Sequence, residues 1–258
     1  MFHKTMFATC LVVAATLGAA PATAQIAVGE TGLTVNASAG IASDYLFRGI
    51  SQTRSRMAYQ GTGEVSHSSG VYIGAFASNV RYAGTDARQE IDFLAGYRFT
   101  LAQINFDVGA VWYTYPGYSR QPGTFGLNYA EGVLKATREI GPVILSGVLA
   151  GSPNFFGSSG TGIYLEGGLD WRTGFQDIVL GGRVAHQFVQ RNPRFGTPDY
   201  TWWGLTASRD FVVERVGTIS ASVGYYQTSI DRRDCAPING RGQDICGARA
   251  FGSLTFKF

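Results

Sequence analysis

The chain has 258 residues, a formal charge of +3 and a mean hydropathy of +0.02. This is enough for one membrane barrel or two soluble domains, and no basic run offers a footprint for nucleic acid. Beyond the first two dozen residues, no apolar stretch is long enough for a membrane helix, whereas alternating strands would average to neutral hydropathy.

The first segment reads as an export signal. His3 and Lys4 form a short positive start, Met6 to Ala20 an apolar run, and Ala22-Thr23-Ala24 a small-residue cleavage site. Residues 1–24 are expected to leave as a signal peptide, taking Cys10 with them, and 25–258 to form the mature barrel. Cys235 and Cys246 then remain as an even pair in an exported chain, so a disulfide is expected. A metal site would have to borrow distant ligands, since His67 and His186 are the only mature histidines. No metal or cofactor is expected.

Period-two alternation marks the strands in chain order. Leu33 to Ser43 places Leu33, Val35, Ala37 and Ile41 on one face. Met57 to His67 follows, with Gln60, Thr62 and Glu64 on its polar side. Val71 to Val80 is apolar on both faces in places, which leaves its lumen side open. Gln89 to Phe99 sets Ile91, Phe93 and Tyr97 against Glu90, Asp92 and Arg98. Ile104 to Tyr115 has Asp107 on its polar face, and Leu127 to Arg138 carries Glu131 and Lys135 together. Further strands are Val143 to Gly151, Ile163 to Arg172 (with Glu166, Asp170 and Arg172 opposite the apolar face), Ile178 to Phe188 (with Arg183), Tyr200 to Arg209 and Thr218 to Gln227. Ala248 to Phe258 closes the set and ends on an aromatic.

The fold class expected is all-β: a transmembrane antiparallel up-and-down β-barrel of about 12 strands. Long connections alternate with short ones, as barrels with extracellular loops and periplasmic turns do. Tyr97, Phe99, Trp112, Phe188, Trp203, Tyr225, Phe256 and Phe258 fall near strand ends, as interfacial girdles would.

Ser43-Asp44-Tyr45-Leu46-Phe47-Arg48-Gly49-Ile50-Ser51-Gln52-Thr53 resembles the signature of the TorF family of porins, Gcw_chp-type bacterial outer-membrane proteins. Gly70-Val71-Tyr72-Ile73-Gly74, Glu90-Ile91-Asp92 and Ser208-Arg209-Asp210-Phe211 are similar to it as well. The resemblance implies a porin-like barrel and little about its solute.

Charges facing lipid are costly, so Glu64, Glu90, Asp92, Asp107, Glu166, Asp170, Arg98, Arg172 and Arg183 are expected in the lumen, either bracing the wall or sorting solutes. Asp44 and Arg48 are candidates at the mouth, where Arg48 would touch solute or pair with a wall carboxylate. The function expected is passive diffusion of small hydrophilic solutes through the outer membrane, without catalysis. Outer-membrane lipids and, through Phe258, the barrel-assembly machinery are the expected partners. The alternatives are a lipid hydrolase, for which His186 has no serine motif beside it, and a structural or adhesive barrel.

Overall fold

The computed structural model describes residues 26–120, 122, 124–239 and 243–258. The expected signal peptide and its junction at Gln25 lie outside them. The fold is a closed 12-strand antiparallel barrel. Its strands are β1 (Leu33–Ala42), β2 (Ala58–His67), β3 (Val71–Asn79), β4 (Gln89–Leu101), β5 (Ile104–Thr114), β6 (Tyr129–Ile140), β7 (Val143–Ser152), β8 (Gly162–Arg172), β9 (Val179–Val189), β10 (Tyr200–Val213), β11 (Gly217–Thr228) and β12 (Arg249–Lys257). Each pairs with the next, and β1 pairs with both β2 and β12. β12 reaches β1 only over residues 38–42, with Phe258 continuing at Ala37. The short strand Ile26–Ala27 then covers Thr34 and Val35, so little of that edge is left unpaired.

The alternation in sequence becomes inside and outside. On β4, Glu90 and Asp92 are buried while Phe93 and Tyr97 are exposed on the outer surface. On β3, whose lumen side the sequence left open, Tyr72 and Phe76 point inward and Val71 and Ile73 outward. Bulky aromatics belong inside here because the neighbouring strands leave them room. A Cβ on Gly96 would lie 2.5 Å from the Tyr72 hydroxyl, and one on Gly109 2.9 Å from it.

Short turns at 68–70, 102–103, 141–142, 173–178 and 214–216 gather at one end. The long connections 43–57, 80–88, 115–128, 153–161, 190–199 and 229–248 gather at the other. Ala102 and Gln103 both have positive φ, 49° and 65°, which matches a type I′ turn to the twist of its strands. Most strand ends differ from expectation by one or two residues, and the end of β10 differs by four. Asp210 does not begin a loop: β10 continues to Val213, because Asp210 is held in the wall by Ser220 of β11 and Lys257 of β12.

The eight aromatics noted near strand ends all sit on outward-facing positions, in two belts. Tyr97, Phe99, Phe256 and Phe258 lie towards the short turns, and Trp112, Phe188, Trp203 and Tyr225 towards the long connections. Rings pair across strands, as in Phe93–Trp112 and Trp203–Tyr225.

The connection 229–248 contains the helix Arg232–Asn239 and the Cys235–Cys246 disulfide. Thr228 donates to the Cys246 carbonyl at 2.7 Å, tying the staple to β11. The sulfurs close a loop of sequence separation 11, which removes roughly 2–3 kcal/mol of chain entropy. The double variant Cys235→Ser/Cys246→Ser is therefore expected to be cut faster by protease within 229–248 while the heat stability of the barrel is unchanged. Loss of the barrel itself would show that the staple supports the wall.

Candidate functional site

The residues at 44–53 fold inward from the long-connection end and cross the lumen. Leu46–Phe47 and Ile50–Ser51 pair as a two-stranded hairpin. At its tip Arg48 and Gly49 have φ values of 51° and 82°, as a type I′ turn requires. Arginine in the left-handed region is strained and persists only when its surroundings hold it. Glycine is needed at 49, because a Cβ there would lie 2.8 Å from Thr228 Cγ2 and 2.9 Å from Trp202 Cβ. The tip is thus seated against β10 and β11.

Arg48 is what holds it. Its Nη1 and Nη2 donate to Glu131 Oε1 and Oε2 at 3.1 and 2.7 Å, a forked pair with β6. Nη1 also donates to Gln187 Oε1 on β9 at 2.6 Å. The guanidinium lies 4.0 Å from the centre of the Tyr164 ring, and Tyr113 donates to Glu131 at 3.1 Å. Both side chains are buried, at 7% and 0% exposure. Burial works against the charge on Arg48, but Glu131 outweighs it and raises the guanidinium pKa, so the guanidinium stays charged.

The hairpin's base is fixed separately. Asp44 accepts from Ser51 at 2.6 Å and from Arg249 of β12 at 3.0 Å. Tyr45 donates to Glu90 Oε1 at 2.6 Å and packs on Phe76. Burial, then the nearby Glu90 charge, pushes the Tyr45 phenol well up, so it remains a donor. Ser51 N donates to the Ile245 carbonyl at 2.9 Å, joining the hairpin to the stapled connection. Leu46, Ile50, Phe155, Tyr129 and Trp202 make a buried apolar cluster around this segment.

The remaining predicted residues divide by height. Glu90 and Asp92 belong to the mouth beside Tyr45. Asp92 is 1% exposed, and its Oδ1 has no hydrogen-bond partner. A charged band lies deeper. Arg98 makes a forked pair with Glu64, both contacts 2.7 Å, and reaches Asp107 at 3.1 Å. Tyr72 donates to Asp107 at 2.7 Å and lies under Arg98, 3.8 Å from ring centre to guanidinium. Across the wall, Arg183 pairs with Asp170 at 2.6 Å and stands 3.9 Å from Glu166. Register aligns Arg98, Asp107 and Lys135, then Val148 and Glu166, as one row around the inside. Arg172 stands apart from the band: it pairs with Glu139 at the short-turn rim, its side chain 34% exposed.

Sequence reasoning missed four parts of the site. Glu131 and Lys135 were visible as a polar pair on one face, but nothing in the chain marked Glu131 as the latch partner. Gln187, Arg249 and the aromatic packing have no local signal, because each acts through a strand distant in sequence. His186 lies on the outward face with its Nδ1 2.8 Å from Thr201 Oγ1 and its ring against Phe188. Among the described residues, no group of three or more His, Cys, Asp or Glu is placed to hold a metal ion.

Comparison with known proteins agrees with this geometry. A family profile described as "Bacterial protein of unknown function (Gcw_chp)" matches residues 26–253. No curated protein matches the chain. Among solved structures, the KdgM porin in complex with disordered oligogalacturonate is similar at a TM-score of 0.53 and 8% identity, over 87% of this chain and 98% of that one. The NanC porin is similar at 0.52 and 11%, with the same coverage of 87% and 98%. At these identities the likeness is one of fold: a porin-like barrel.

Proposed function

The chain belongs to the Gcw_chp family of bacterial proteins of unknown function, and we propose that within it this chain is an outer-membrane porin for small hydrophilic solutes, with the aperture set by its internal hairpin. The narrower TorF assignment, removal of 1–24 on export and recognition of Phe258 by the assembly machinery are parts of the same reading. The observation that carries it is the Arg48 hairpin latched across a closed lumen whose deeper wall is a band of charges. A structural barrel has no need of either, since apolar side chains would fill it at lower desolvation cost.

Support comes from the belts and from the porin-like fold. The KdgM porin was solved with an oligogalacturonate, so a barrel of this kind accommodates a hydrophilic chain. In this protein Arg98 and Arg183 are each committed to two carboxylates, which supports reading the band as a brace of the wall. The aperture then belongs to the mouth, where the hairpin packs against Glu90 through Tyr45 and crosses to Glu131 and Gln187 through Arg48.

Liposome swelling with the refolded mature protein tests this. Small neutral sugars are expected to enter with a sharp size limit. A heat-modifiable, folded barrel that admits none of these solutes would overturn the reading.

A further inference from the structure

Outside the barrel, the wall carries a notch. Register sets Ala39, Gly61 and Ala77 in one row across β1, β2 and β3, flanked by Phe256 on β12 and Ile91 on β4. The next row repeats the pattern with Ala37, Gly63 and Ala75, ending at Phe93. These positions alternate with lumen-facing ones, so all of them look outward. Large side chains on both sides of the first row and almost none within it leave a groove of about 950 Å³, with Ile41, Tyr59 and Leu254 among its walls.

At its long-connection end the groove meets a second, smaller hollow of about 330 Å³, and Asn79 and Arg88 line both. Arg56 and Arg81 complete that hollow. All three arginines are exposed. Among the described residues, Arg88 donates only to carbonyls, those of Thr85 and Ala87, and Arg56 and Arg81 make no side-chain bond or ion pair. The connections that carry them are pinned together: Arg81 N donates to the Gln52 carbonyl, Val80 N to that of Arg88, and Asn79 Nδ2 to that of Met57. The acid beside them is Asp86, whose carboxylate accepts from Ser119 N. A fixed excess of positive charge therefore caps an apolar groove.

We propose that this face binds a phosphorylated, multiply acylated lipid of the outer leaflet, its chains in the Ala/Gly notch and its phosphate on Arg56, Arg81 and Arg88. Arginine suits phosphate because its planar fork donates two bonds at once. The long-connection end is the outer-leaflet end in a bacterial barrel, so the inference rests on the outer-membrane reading above. A second copy of the chain is a poorer occupant. A two-fold contact across the notch would bring the cationic rims of both copies towards one another with no carboxylates to receive them.

The test is lipid binding by the full mature barrel in detergent, followed by native mass spectrometry. Bisphosphorylated lipid A is compared with its fully dephosphorylated form, with phosphatidylglycerol and with inorganic phosphate. The bisphosphorylated form is expected to bind about tenfold or more tightly than the dephosphorylated one, the scale of one charge-assisted pair. Arg56→Ala/Arg81→Ala should abolish that preference, and Ala39→Leu/Ala77→Leu should weaken binding of both forms. Equal binding of the two forms, binding of inorganic phosphate as tight as that of the lipid, phosphatidylglycerol matching bisphosphorylated lipid A, or a two-chain species lost on filling the notch would overturn the proposal. Liposome swelling separates the two readings, because it is blank if the porin reading fails and unchanged if only the lipid site does.

Discussion

Arg48→Leu is expected to leave Glu131 buried beside Tyr113 without its cation. Breaking one side of a buried ion pair costs about 3–5 kcal/mol, several times the strength of an exposed pair. The hairpin has no other ion pair at its tip, so the loss should fall there and not on the strand ladder. The expected record in a planar bilayer is a flickering channel with larger open events than the parent, from a barrel that still resists heat. Glu131→Leu combined with Arg48→Leu removes both charges and is expected to recover much of the quiet state, as apolar replacements of buried pairs do. If Arg48→Leu behaves as the parent does, Arg48 does not hold the hairpin.

Arg98→Met is expected to act on the wall instead. Arg98 joins Glu64 of β2 and Asp107 of β5, and without it two acids face each other near the middle of the barrel. The loss should again be about 3–5 kcal/mol, but spread over β2 to β5, because Tyr72 depends on Asp107 for its own hydrogen bond. The temperature at which the folded band disappears on a gel should drop clearly, with the size limit for solutes little changed. Glu64→Gln/Asp107→Asn in the same chain should return most of it. A shifted size limit at unchanged heat stability would place Arg98 at the constriction and contradict the bracing role.

Why the wall was legible and the hairpin was not follows from the range of the forces involved. Strand faces are set by residues two apart, so Gln89 to Phe99 could be divided correctly without knowing its neighbours, and closure followed from the number of such segments. The short turns were legible for the same reason. Asp210 was misread because its partners, Ser220 and Lys257, lie on other strands, while the local sequence around it looks like a turn. The hairpin shows the limit most clearly. Phe47-Arg48-Gly49-Ile50 has the glycine that a tight turn needs, but Arg48 meets Glu131 across 83 residues and Gln187 across 139. Polar residues on a strand announce a lumen; they do not say which of them meet. The mouth aromatics are legible only as apolar residues out of step, as Tyr72 and Phe76 were on β3.

The central claim is that the hairpin sets the aperture of a conducting barrel. The most direct test is single-channel conductance of the intact protein beside a chain in which residues 46–51 are replaced by a short Gly/Ser link, both checked for heat-modifiable folding. The account predicts small, discrete steps from the intact barrel and distinctly larger ones once the hairpin is gone. Equal conductance from the two chains, or silence from both, would contradict it.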